Sequence, residues 1–237
     1  SLALTEPDFN LKQAITAYQS ALTIFTQLRY PAEWAMVQNN LGIACFTHIE
    51  ERSTDETNLA FISFNAALHI HTRTDYPDDW ARIHHNLGTL YQSQQKPVNQ
   101  VDFCKKAIEH YTRALTIRTP ERNILEWANT KTHRAEARFH LSQETDVELL
   151  ELVKTDVEEA LRKIPRNHAP EMIAEANMLL AKVLFALSRC SAPKTTALRD
   201  KAFRALSSAA RIYRKRNQEF ELSKVEELEK TESSNPL

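Results

Sequence analysis

The chain has 237 residues, 42% of them apolar and 26% charged, with a formal net charge of −1. That balance is ordinary for a soluble protein, and it excludes a global field that would draw the chain to nucleic acid or membrane. Gly42 and Gly88 are the only glycines, which argues against glycine-loop nucleotide sites and turn-rich β architectures and favours helices.

In chain order, residues 1–7 read as a short leader. Ser1 is expected to be a processing or cloning remnant, or to mark a start within a longer chain. No charged-then-apolar signal segment opens the sequence, and no apolar run reaches the length of a membrane span. Residues 8–28 predict a helix with Asp8 as its N-cap. Ala14, Tyr18 and Ala21 fall at i, i+4 and i+7, one helical face. The same spacing returns at Ala60, Phe64, Ala67; at Ala107, Tyr111, Ala114; at Val153, Val157, Ala160; and at Ala202, Leu206, Ala209.

A second helix type alternates with these. Residues 30–42, Tyr-Pro-Ala-Glu-Trp-Ala-Met-Val-Gln-Asn-Asn-Leu-Gly, come back at 76–88 as Tyr-Pro-Asp-Asp-Trp-Ala-Arg-Ile-His-His-Asn-Leu-Gly, with seven identities in thirteen positions. A fixed period near 46 residues means stacked copies of one small unit. Pro31, Pro77, Pro120 and Pro170 are expected to start the four copies, where a missing N–H costs nothing. Small residues stand seven apart in each: Ala35 and Gly42, Ala81 and Gly88, Ala128 and Ala135, Ala174 and Ala181. A mid-helix glycine costs about 1 kcal/mol against alanine. Close packing of a neighbour is expected to offset that, so a large residue at either glycine should cost roughly 1–3 kcal/mol. Connectors are expected near 50–55, 93–100, 142–146 and 189–196, a capping helix over 217–230, and a disordered tail over 231–237. The expected fold is all-α: residues 8–216 form a right-handed α-solenoid of about ten antiparallel helices, counting the capping helix.

The pattern resembles tetratricopeptide repeats. Leu87, Gly88 and Tyr91 followed by Ala107, Tyr111 and Ala114 match that family's unit. Leu41, Gly42 and Cys45 with Ala60, Phe64 and Ala67 match except for Cys45 in place of Tyr. Leu180, Ala181 and Leu184 with Ala202, Leu206 and Ala209 form a conservative version. The third copy departs, with Arg134 and Arg138 where Leu and Tyr are expected. The long period, and the run Arg-Ala-Leu-Thr-Ile at 113–117, are similar to kinesin-light-chain repeats and to bacterial arrays that accompany CHAT peptidase domains. Both relatives use the array to hold another protein.

The resemblance implies that the first helix of each pair lines a binding groove. It places Asn39, Asn40 and Ile43 there, then Arg82, His85, Asn86 and Thr89, then Asn129, Thr132, His133 and Glu136, and finally Met178 and Lys182. Asparagine suits a peptide backbone because its amide both donates and accepts. Two readings stand for Asn40 and Asn86: groove contact, or a tie between adjacent helices. Asn39 and His85 are read as groove residues. The residue after glycine is Ile43 or Thr89, which does not match the family's carboxylate clamp, so an internal or folded segment of the partner is expected.

No metal or other cofactor is expected. His69 and His71 diverge on a helix, His84 and His85 are adjacent and diverge, and His133 and His140 lie two turns apart. Trp34, Trp80 and Trp127 follow the period and read as packing residues. No nucleophile elbow, phosphate loop or cysteine motif supports catalysis or a small-molecule substrate. Cys45, Cys104 and Cys190 are too few and too far apart for a disulfide framework, which fits a reducing, cytoplasmic setting.

Three functions compete: a cytoplasmic adaptor for a cytoskeletal filament or cargo protein, a regulatory or sensor module for a separate effector such as a CHAT peptidase, and a peripheral anchor to an anionic membrane. The third rests on residues 194–216, where Lys194, Arg199, Lys201, Arg204, Arg211, Arg214, Lys215 and Arg216 face one acid, Asp200. Arg204, Arg211, Arg214 and Lys215 are expected on an outward basic face, against which the glutamates of 219–232 compete as surface pairs.

Overall fold

The computed structural model describes residues 6–47, 54–94, 98–165, 167–190 and 195–234. Among these residues it contains ten helices and no strand: α1 Glu6–Ile24, α2 Pro31–Phe46, α3 Thr54–Leu68, α4 Pro77–Ser93, α5 Gln100–Leu115, α6 Ile124–Ser142, α7 Val147–Lys163, α8 Pro170–Cys190, α9 Thr195–Lys215 and α10 Glu219–Ser233. None of them is long and apolar enough to cross a membrane.

Sequence chemistry sets the helix ends. Pro31, Pro77 and Pro170 occupy first helical positions, as expected. Pro120 does not. α6 begins at Ile124, because Asn123 takes an extended backbone and its side chain accepts the N–H of Glu126 at 3.2 Å. Asp146 caps α7 in the same way, accepting from Leu149 N at 3.0 Å. α9 ends with Asn217 at φ 55° and the Gln218 N–H donating to the Tyr213 carbonyl at 3.0 Å, the six-to-one bond of a Schellman stop. Asp8 lies inside α1 rather than before it. α10 runs through Ser233, past the expected end at 230, and Glu232 is buried. Residues 1–5 of the expected leader, 50–53, 95–97 and 191–194 of the expected connectors, and 235–237 of the expected tail fall outside the described residues.

The chain divides into two compact units, Ser1–Asn99 with Glu109–Ile117, and Gln100–Ile108 with Arg118–Leu237. In the first, α1 packs on α2, α2 on α3, α3 on α4, and α2 also touches α4. In the second, α6 through α10 pack each on the next, and α6 also touches α8. Sequence neighbours thus pack in order within each unit, as they do in an α-solenoid.

The i, i+4, i+7 stripe is core from its second copy on, whereas Ala14, Tyr18 and Ala21 of α1 are half-buried. Ala60, Phe64, Ala67, Ala107, Tyr111 and Ala114 are fully buried, as are Val153, Val157, Ala160, Ala202 and Ala209. Removing a side chain such as Phe64 from water contributes about 1.5–3 kcal/mol. The glycines make room for it. A β-carbon on Gly42 would lie 2.7 Å from the Phe64 ring, and one on Gly88 would lie 2.6 Å from the Tyr111 ring. In these two pairs the middle aromatic of the i, i+4, i+7 stripe therefore seats on the glycine of the helix before it.

The departure in the third pair has a physical account. Arg134 and Arg138 of α6 both reach Asp156 of α7, at 3.1 and 2.5 Å, and Lys131 Nζ lies 3.2 Å from the same carboxylate. Asp156 is 5% exposed. A buried carboxylate and its cations stand at the two irregular positions, beside an apolar contact of Ala135 and Phe139 with Val153 and Val157 that keeps the register of α6.

Candidate functional site

One helix of each pair, α2 and α4 in the first unit and α6 and α8 in the second, carries the residues assigned to a groove. Counting from the first small residue of each (Ala35, Ala81, Ala128, Ala174) sorts them. The next residue is Met36, Arg82, Asn129 or Glu175; all but the half-buried Asn129 are exposed. Four further on come Asn40, Asn86, His133 and Leu179, and three beyond those Ile43, Thr89, Glu136 and Lys182. These three positions share a helix face.

In the first unit that face holds Met36, Asn40, Ile43, Arg82, Asn86 and Thr89. Met36 is 47% exposed. Arg82 is exposed and pairs with Asp79 one turn back. Thr89 donates to the His85 carbonyl, and the Tyr111 hydroxyl lies 3.2 Å from its oxygen and 3.0 Å from Gln92 Oε1.

Asn39 corrects the sequence reading. It is 1% exposed. Its Oδ1 accepts from Asn86 Nδ2 at 3.0 Å, and its Nδ2 donates to Asn40 Oδ1 at 3.3 Å. The tie between α2 and α4 therefore runs from Asn86 through Asn39, which belongs to the helix contact and not to an open groove. His85, at the equivalent position, is half-buried with its ring 5.5 Å from that of Tyr111. Thr132 and Met178 repeat the trend: Thr132 is buried, and Met178 packs against the α8–α9 core. This position leans toward the neighbouring helix, so it supplies packing more than contact surface.

In the second unit Asn129 and Glu136 are half-buried and Lys182 is exposed. His133 is held below the usual histidine pKa, chiefly by burial, with the Glu136 charge opposing. Glu175 is pushed up from the ordinary glutamate value by desolvation and then by the charges of Glu136, Glu221 and Glu171. Met36 and Glu175 were missed from sequence. The signal was available, since both directly follow the first small residue of their helix.

Two clusters were not anticipated. His84 and His110 face each other with their Nδ1 atoms 2.8 Å apart. Trp80 stands edge-on to His84, and Tyr91 stacks on His110. His84 is 2% exposed, and burial, then the proximity of His110 and Arg113, lowers its pKa to about 3. Among the described residues no group of three or more metal-ligating side chains converges. The second cluster is the Asp156 site, where Lys131 also reaches Glu159 at 2.5 Å and sits with Lys163 against the Trp127 ring. Cys45 and Cys104 are buried, and desolvation pushes both thiols up to about 11, far from the thiolate that nucleophilic chemistry needs.

Arg204, Arg211, Arg214 and Lys215 of α9 are all exposed. Arg214 lies 3.4 Å from Glu226 and Arg216 lies 3.1 Å from Glu171, so α10 and α8 neutralise part of the face. No protein-family model matches the chain, and no curated protein matches it.

Proposed function

We propose that the chain is a tetratricopeptide-like array that works as a non-enzymatic adaptor, holding a partner protein on the outward face of α2 and α4 and of α6 and α8. One observation carries this reading. In each unit the position one residue after the first small residue is open, with Met36 and Arg82 in the first and Asn129 and Glu175 in the second exposed or half-buried, on helices that bury their small-residue stripe in the core. Asn40 accepts from Asn39 and keeps its own amide donors, which suits a peptide backbone. Apolar, amide and charged groups mixed on a pre-ordered helical surface are what protein contacts use. The likeness to kinesin light chains favours a filament or cargo protein as partner.

Affinity capture with quantitative mass spectrometry tests this. The expected result is a protein retained by the wild type and by a control altered on α3 and α5 (Asn65→Lys with Thr112→Lys), and lost from Met36→Glu with Arg82→Glu. Capture that is identical for all three would overturn the assignment.

A further inference from the structure

We propose that the second unit carries a separate docking groove for an acidic segment of a partner protein bearing bulky apolar side chains. The groove is a recess of about 1000 Å³ between the end of α7, the start of α8 and the last two turns of α9. It uses none of the outward-face residues of α6 and α8 and does not depend on the function proposed for them. Its apolar lining comes from Leu161, Ile164, Ile173 and Ile212. Its charged lining is cationic, with Arg211 and Lys215 from α9 and Arg216 from the turn that follows it.

The charges in that lining are unequal. Arg216 is already held by Glu171. Arg211 and Lys215 are exposed and form no ion pair among the described residues. A cation near a helix C-terminus is favoured by the macrodipole alone, which accounts for Lys215 in the last turn of α9. Arg211 lies a turn earlier, and the two line one recess with buried and half-buried apolar side chains, which is the complement of an apolar residue flanked by carboxylates. Asn167 and Asn177 line the same recess and can hydrogen-bond a backbone laid along it. A protein segment fits better than a bilayer. The cations are exposed, whereas Ile164 is 3% exposed and Leu161, Ile173 and Ile212 are half-buried, so a flat anionic surface meets chiefly the cations, whereas an inserted side chain reaches both.

The test uses the whole chain and fluorescence anisotropy with three labelled peptides: Asp-Glu-Leu-Leu-Glu-Asp, the same peptide with serine for both leucines, and Lys-Lys-Leu-Leu-Lys-Lys. The expected result is saturable binding of the first alone. Arg211→Glu with Lys215→Glu should weaken it at least about tenfold. Ser208→Trp, which fills the recess and leaves every cation in place, should abolish it, with circular dichroism confirming that both variants fold. Co-sedimentation with phosphatidylserine vesicles supplies the other arm. Three results would overturn the proposal: no saturation by the leucine peptide up to about 2 mM; equal binding of the serine peptide, which would mean charge alone; or sedimentation with vesicles that depends on Arg211 and Lys215 while the peptide fails to bind, which would make the face a lipid contact.

Discussion

Asn86 of α4 donates through Nδ2 to Oδ1 of Asn39 in α2 across 3.0 Å, and Asn39 is buried. A buried amide that loses its partner keeps its desolvation cost, so Asn39→Ala and Asn86→Ala should each cost about 1–3 kcal/mol. The double variant should cost clearly less than the sum, because one bond is removed twice. Chemical denaturation of all four proteins checks this. Additive losses would mean that the two amides act independently.

Gly88 and Tyr111 predict the opposite of helix propensity. Alanine for a mid-helix glycine normally gains about 1 kcal/mol. Here the added carbon would meet the Tyr111 ring at 2.6 Å, and Gly88→Ala should instead lose roughly 1–3 kcal/mol through overpacking. Tyr111→Leu in the same chain should recover part of the loss. A Gly88→Ala protein that melts higher than wild type would refute the close approach.

Asp156→Ala strands Arg134 and Arg138, each at most 16% exposed, and leaves Lys131 with Glu159. Breaking a buried ion pair from one side typically costs about 3–5 kcal/mol. Replacing the two arginines and their carboxylate by apolar residues, Asp156→Leu with Arg134→Leu and Arg138→Tyr, while Lys131 keeps Glu159, should restore stability to near wild type or above it. Thermal melts of the single and triple variants decide between these outcomes.

His84 gives the pH dependence a sign. Its folded pKa, about 3, lies below the ordinary histidine value, so the unfolded chain binds the proton more readily between those two values. The resulting stability is complete above the unfolded pKa near 6.5 and is lost as pH falls toward 3. Between pH 7 and 5 this one group should account for up to about 2 kcal/mol, and His84→Gln should flatten the profile. Glu175 runs the other way. Its raised pKa makes its charge unfavourable at neutral pH, so Glu175→Gln should raise the melting temperature at pH 7, with the gain vanishing below the ordinary glutamate pKa.

Much of the fold was legible because one constraint repeats. A small residue in one helix and a large one in the next recur near 46 residues, and the aromatic seats on the glycine as the spacing implies. Pro120 misled because proline marks a permitted start, whereas the Asn123 side chain supplies the hydrogen bond that fixes the actual one. Arg134 and Arg138 looked irregular because their partner, Asp156, lies on the following helix, and two arginines at i, i+4 in apolar positions were themselves the signal of a buried carboxylate. The site was less legible. Asn39 and Thr132 lie one residue before the outward-facing position, and a shift of about 100° around the helix moves a side chain from solvent into the contact with the next helix. The His84–His110 pair joins residues 26 apart on two helices, which no local pattern encodes.

Site-specific photo-crosslinking tests the central claim most directly. A photoreactive residue placed singly at Met36, Arg82, Glu175 or Lys182 should trap the same partner protein reproducibly, and the same residue at Asn65, Thr112 or Thr155 on α3, α5 and α7 should not. Equal trapping from both sets, or none from the first, would contradict binding surfaces on α2 and α4 of the first unit and on α6 and α8 of the second.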